Sequence, residues 1–218
     1  VEAELTPMKV NHLLLLFMPF LFLTSCTASR TPAPSLNLVS DILKSKAAQI
    51  KLTLNDMPDH FVMLDSESNQ MIGEENLLDI QSAFSFHSDA GNLEKIIGMT
   101  TVYPYSQRDP LDSVDRISQQ IELVTRSIVK GFVFARDVDV EDLVLSKPIG
   151  DAYSGKTFAW SNEDVGYPNL HTRTEVLVFE RDKITVLLFL QYVEELPVSI
   201  SIEAEAEKLD AQIQNLDP

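Results

Sequence analysis

Apolar residues between Asp109 and Lys130 recur every third or fourth position, at Leu111, Val114, Ile117, Ile121, Val124 and Ile128. That spacing lines one face of a helix. Asp109 stands where a cap belongs, Pro110 occupies the first turn where its missing N–H costs nothing, and Gly131 ends the run. A second helical line, Ile202, Ala206, Leu209, Ile213 and Leu216, predicts a helix from about Ser199 to Leu216, with Glu203, Glu205, Glu207 and Lys208 mostly outward. A shorter one is predicted within Leu36 to Gln49.

Elsewhere the apolar residues come in short runs or alternate, as in strands. Phe61 to Leu64, Ala83 to Phe86 and Lys95 to Tyr103 read as strands, the last two as a hairpin in which Gly98 marks a bulge. Leu143 to Leu145 and Thr157 to Trp160 follow the long helix. Thr172 to Glu180 and Lys183 to Val193 make the strongest hairpin, turning near Arg181 and Asp182. Val186 to Leu190 is apolar on both faces, which predicts a central, covered strand. The order is strand, hairpin, long helix, four strands, terminal helix. An α+β fold, an antiparallel sheet packed by a long central helix and a C-terminal helix, buries both apolar helix faces.

The start of the chain has a different character. Leu13 to Leu23 is uncharged, preceded by Lys9 and followed by Thr24, Ser25 and Cys26. A bilayer-spanning helix needs about 20 apolar residues, so this run predicts an export signal rather than a span. Leu23-Thr24-Ser25-Cys26 resembles the lipobox of bacterial lipoprotein precursors. That resemblance implies cleavage before Cys26 and acylation of its thiol and new amine. Thr27, following the cysteine in place of aspartate, favours an outer membrane on the same resemblance. Glu2 and Glu4 are unexpected before an export signal, so Met8 is expected as the translation start. The organisation expected is therefore 1–25 as upstream residues and signal, 26–51 as lipidated cysteine, tether and short helix, and 52–218 as one domain. The tether, Thr27 to Ser35, is small, polar and proline-containing.

The net charge is −16, and removal of Lys9, Glu2 and Glu4 leaves it almost unchanged. Nucleic-acid binding relies on Lys and Arg neutralising phosphates, so that partner class is not expected. Neither is a polybasic membrane patch. The only cysteine is Cys26; once it is acylated, no disulfide or thiolate metal site remains.

Candidate chemistry is sparse. Gly150 to Thr157 satisfies G-x-x-x-x-G-K-[ST], but the phosphate-cradling loop needs a helix after it, and Phe158-Ala159-Trp160 is strand-prone. A strand-connecting turn is expected there, with no nucleotide bound. Arg136 to Asp142 clusters carboxylates, yet Asp142 stands where a calcium loop needs glycine, which favours a solvated acidic loop or edge strand. His60, His87 and His171 are metal candidates without ligand spacing. No nucleophile elbow, G-x-S-x-G, is present. Tyr153, Trp160 and Tyr167 lie near the polar Ser161 to Leu170 stretch and are candidates for an aromatic partner surface.

From MPDHF through the closing TRTEVLVFERDKITVLLFLQY, LP and AEKLDAQIQNL, the element order resembles the Mog1/PsbP-like fold, over about Met57 to Leu216. That family includes envelope lipoproteins and photosystem II-associated lumenal proteins, mainly non-catalytic binding and assembly domains. The resemblance implies a membrane-associated partner protein or complex and no catalytic residues or cofactor. The expected function is a non-enzymatic, lipid-anchored binding or assembly module in the cell envelope, facing periplasm, lumen or exterior, in its narrower form a photosystem II accessory protein. Two alternatives remain. One is a carrier of a small apolar ligand between sheet and helices, which a solid core at Ile121, Val124, Leu188 and Leu190 would eliminate. The other is a metal-assisted enzyme using His60, His87 or His171.

Overall fold

The computed structural model describes residues 41–64, 80–90, 93–102, 113–131, 138–162 and 167–216. Cys26, the signal and the tether lie outside them, as do Asp109 to Leu111. Among the described residues there are three α-helices: α1 (Asp41–Ala47), α2 (Ser113–Gly131) and α3 (Ile202–Gln214). The strands are β1 (Phe61–Met63), β2 (Ile80–Ser88), β3 (Lys95–Val102), β4 (Asp139–Asp142), β5 (Ala152–Asn162), β6 (Tyr167–Arg181) and β7 (Ile184–Val193). They form one antiparallel sheet in the order β1-β2-β3-β7-β6-β5-β4. The fold is α+β, with helices on both sides of the sheet.

β7 is the central strand, paired to β3 on one side and β6 on the other. Because side chains alternate across a strand, its two apolar sets serve two cores. Val186, Leu188 and Leu190, with Phe84, Phe86, Ile96, Leu177 and Phe179, meet Ile202, Ala206, Leu209 and Ile213 of α3, with Ala47 at the end of α1 and Ile50 just after it. On the other side, Ile117 and Ile121 of α2 pack on Phe158, Trp160, Val176 and Val178, with Leu187 and Phe189 at the margin. Each large apolar side chain so buried contributes about 1.5–3 kcal/mol.

Several local expectations change. Gly98 is not at a bulge, which falls instead between Ile80 and Ser82. It lies beneath the Phe84 ring, where a Cβ would come within 2.0 Å of Cζ. Leu143 to Leu145 is not a strand; the edge strand is the acidic segment just before it. Leu143 N–H donates to the Gly155 carbonyl (3.1 Å), and the chain then crosses the sheet so that Leu145 and Ile149 join the α3 core. Val114 is exposed although it belongs to the apolar line of α2, whereas Arg116 is buried. Glu205, expected outward, is 3 % exposed, and Lys208 Nζ donates to it at 2.8 Å and to the Asp56 carbonyl at 2.8 Å.

The β6–β7 turn has two central residues with positive φ, Asp182 (50°) and Lys183 (69°). Both values belong to the hairpin turn whose twist matches the strands, a conformation glycine adopts with least strain. Lys183→Gly is expected to raise stability by about 0.5–1 kcal/mol, read as a higher urea midpoint at unchanged slope.

Candidate functional site

Three polar constellations lie where loops and sheet meet. The first joins three distant segments: the lead into β1, the β2–β3 connection and the lead into α3. Glu94 is buried, and its Oε1 accepts from the backbone N–H groups of Ser199 (2.5 Å) and Ile200 (3.3 Å). The Ser199 hydroxyl donates to Glu94 Oε2 (2.6 Å) and lies 3.1 Å from His60 Nε2. A serine hydroxyl has one proton to give. With that proton on Glu94, His60 donates from Nε2 into Ser199 Oγ, so the imidazole cannot act as base toward this serine. A hydrolytic triad needs the imidazole between serine and acid; here the serine stands in the middle. The arrangement fastens the α3 lead to the sheet.

The second is His171 with Glu195. Glu195 accepts from the His171 N–H (2.9 Å), and its other oxygen lies 2.6 Å from Nδ1. These donors hold the Glu195 carboxyl below its usual range. The third lies on the α3 side of β6 and β7. Tyr192 donates to Glu175 Oε1 (2.8 Å), and Arg173 Nε is 3.2 Å from Glu194. Burial raises the Glu175 carboxyl, against the lowering effects of Tyr192 and Arg173. Burial, with the Glu175 carboxylate beside it, also raises the Tyr192 phenol.

Glu175 thus holds its proton more tightly folded than unfolded. Its stabilising contribution is full below the ordinary carboxyl range and declines as pH rises through the raised value. Glu195, and Glu203 with its Ser146 donors, act oppositely: their contribution is present above the ordinary range and lost as pH falls through their lowered values. Glu175→Gln mimics the protonated side chain. It is expected to remove the declining part of the stability profile above the ordinary carboxyl range, measured by urea unfolding as a function of pH.

The three histidines enter three different settings. His60 faces Ser199, His87 is on β2, and His171 is on β6, separated from β2 by β3 and β7. Among the described residues no group of three His, Cys, Asp or Glu side chains is placed to hold a metal. The aromatic surface is not assembled as expected. Tyr153 and Trp160 are seven positions apart on β5, so they point to opposite faces of the sheet. Tyr153 is exposed, while Trp160 is buried in the α2 core. Tyr167 opens β6 opposite Asn162, and its side chain lies outside the described residues.

In the stretch matching the phosphate-loop pattern, Gly155, Lys156 and Thr157 sit inside β5, paired to Leu177, Val176 and Glu175. Lys156 Nζ contacts Asp142 at 2.5 Å. A strand stands where the pattern needs a helix N-terminus, so the backbone cannot cradle a phosphate there. Asp139 to Asp142 form β4, an exposed acidic edge strand; Arg136 and Asp137 lie outside the described residues.

Ile121 and Val124 belong to the α2 core, Leu188 and Leu190 to the α3 core, so these four line no common space. An open groove of about 460 Å³ lies elsewhere, between the segment after α1 and the end of α3. Across it, Lys51 N–H donates to the Gln212 side chain, which donates back to the Lys51 carbonyl, both at 3.1 Å.

The sheet and its helices define an α+β domain with an antiparallel seven-strand sheet covered on both faces. No known protein-family pattern and no curated protein sequence matches the chain. Among solved structures, a mutant of the protein Mog1 is similar at 11% identity, covering 72% of this chain and 79% of that one, with a TM-score of 0.32.

Sequence reasoning missed Glu94, Ser199, Arg116 and Glu180. Glu94 and Ser199 are 105 positions apart, and nothing local in the sequence marks such a pair.

Proposed function

We propose that the chain is a lipid-anchored protein of the cell envelope whose α+β domain acts as a non-catalytic binding or assembly module for a membrane-associated partner. The observation that carries this reading is Leu23-Thr24-Ser25-Cys26 behind a short uncharged run. Helix α1 starts at Asp41, so an acylated Cys26 would hold the domain within roughly 50 Å of the bilayer surface by extended chain. Two or more acyl chains anchor stably where one is marginal. The polar groups that first resemble catalytic sets support the same reading, because Glu94, Ser199 and His60 join loops to the sheet.

The test is metabolic labelling with an alkyne fatty acid, read by intact-mass analysis. The expected result is a processed chain labelled at Cys26 in the membrane fraction, and loss of both label and membrane association in Cys26→Ser. An unprocessed, unlabelled chain with a free thiol in the soluble fraction would overturn it. Photo-crosslinking from position 153, exposed on β5, is expected to give one reproducible adduct in intact membranes; a smear of unrelated adducts counts against a dedicated partner.

A further inference from the structure

The sheet has two outer margins, β1 and β4, and they differ in kind. β4 carries three acids in four residues, Asp139, Glu141 and Asp142, all exposed. Charge on an edge strand discourages another strand from pairing with it. At the other margin, Phe61-Val62-Met63-Leu64 has no charged residue, no proline and no glycine. Val62 is 38 % exposed and Met63 58 %. An unguarded apolar edge is a template for a further strand, and binding domains use such edges to take up extended segments.

The hydrogen bonds of β1 show what its outer side offers. Leu64 N–H donates to the Ser85 carbonyl (3.0 Å), and Asp89 N–H donates to the His60 carbonyl (2.7 Å). With Val62 opposite His87, residues 60, 62 and 64 turn their backbone groups toward β2, and those of Phe61 and Met63 turn away. The Phe61 N–H is taken by the Pro58 carbonyl (2.9 Å). Among the described residues, the outer side is left with one donor, Met63 N–H, and two acceptors, the Phe61 and Met63 carbonyls. An antiparallel chain meets all three. One of its residues exchanges both bonds with Met63, and the residue two places on donates to Phe61. Met63 shares the α3 side of the sheet with buried Phe61, and Val62 lies on the other, so an added strand has apolar neighbours on both faces.

We propose that β1 is a docking edge for an extended segment of a partner protein, added antiparallel, with β-branched side chains against Val62 and Met63 and Lys or Arg at its ends. Such strand addition draws affinity from backbone bonds and selectivity from alternate side chains. The basic ends follow from the net charge of −16 and from exposed Asp59 and Asp89 beside the start of β1. The same net charge opposes a second copy of this chain as the occupant. The assignment rests on the domain being a binding module; the lipid anchor plays no part in it.

The test uses the full chain in nonionic detergent, with fluorescein-labelled Lys-Val-Thr-Val-Thr-Val-Lys as the probe, read by fluorescence anisotropy. N-methyl groups on both threonines block self-assembly and leave the valine edge able to pair. A peptide N-methylated on the valines as well has no competent edge and is expected to bind at least tenfold more weakly. Exchanging the terminal lysines for glutamates is expected to have a similar effect. Met63→Pro removes the outward N–H without touching a bond to β2, and is expected to weaken binding at least tenfold, while Val140→Lys on β4 leaves it unchanged. The two methylation patterns are compared on the unaltered protein, so they carry the test even where Met63→Pro fails to fold. No binding, equal binding of the two methylated peptides, unchanged affinity in a folded Met63→Pro, or a dimer of the chain that Met63→Pro dissociates would overturn the proposal. A single adduct from position 153 together with no peptide binding would sink the docking edge and leave the binding module standing.

Discussion

Glu180→Ala is expected to lower stability by about 3–5 kcal/mol, the largest effect of any single side-chain truncation proposed for this fold. Glu180 is 2 % exposed on β6 and receives Arg116 of α2 through Nη2 (2.7 Å) and Nε (3.3 Å), with the Ser113 hydroxyl at 2.7 Å. The pair fixes the first turns of α2 to the sheet. Truncating the acid takes its carboxylate away from a guanidinium that is 7 % exposed, and the loss of that buried partner dominates. Replacing both partners with apolar residues, Arg116→Met with Glu180→Leu, is expected to recover most of it, because no charge is then left behind. Urea unfolding of the two single variants and the double variant checks this. A loss below about 1 kcal/mol in Glu180→Ala would mean that the pair behaves as a surface contact.

Gly98→Ala is the second large effect, with an expected loss of about 3 kcal/mol or somewhat more. The added methyl would overlap the Phe84 ring at 2.0, 2.5 and 2.6 Å from three of its carbons. Phe84 is 4 % exposed and packed in the α3 core, so the ring cannot move aside without opening a void. Relief should come from the ring itself: Phe84→Leu in the Gly98→Ala background is expected to cost less than the two single losses added together. Thermal and urea unfolding of the four-member cycle measure that coupling, and simple additivity would contradict the contact.

The elements legible in the sequence were those whose apolar spacing repeats over many residues. Ile202, Ala206, Leu209 and Ile213 announced α3, and Val186 to Leu190 announced a strand covered on both faces. What was not legible was decided by distant partners. Arg116 lies off the apolar line of α2 and is nevertheless buried, because Glu180, 64 positions later, meets it there. Glu205 looks like a solvent-facing acid until Lys208 and the Asp56 carbonyl are beside it. Leu143 to Leu145 has a strand's composition, yet the pairing goes to the acidic residues before it, since Leu145 is needed in the core. Of the candidate sites, the aromatic group failed by parity: Tyr153 and Trp160 are separated by an odd number of positions on one strand. The imidazole–hydroxyl–carboxylate group left no local trace at all.

The central place of β7 has a consequence for the order of assembly. Among the described strands, β1 to β3 and β4 to β6 share no pairing partner until residues 184–193 arrive between them. A nascent chain ending before Ile184 would hold two half-sheets with raw inner margins at β3 and β6. Closure must therefore await the last part of the polypeptide, and pairing over such long sequence separations makes for slow folding. On the export proposed above, that delay would keep the chain slack during passage.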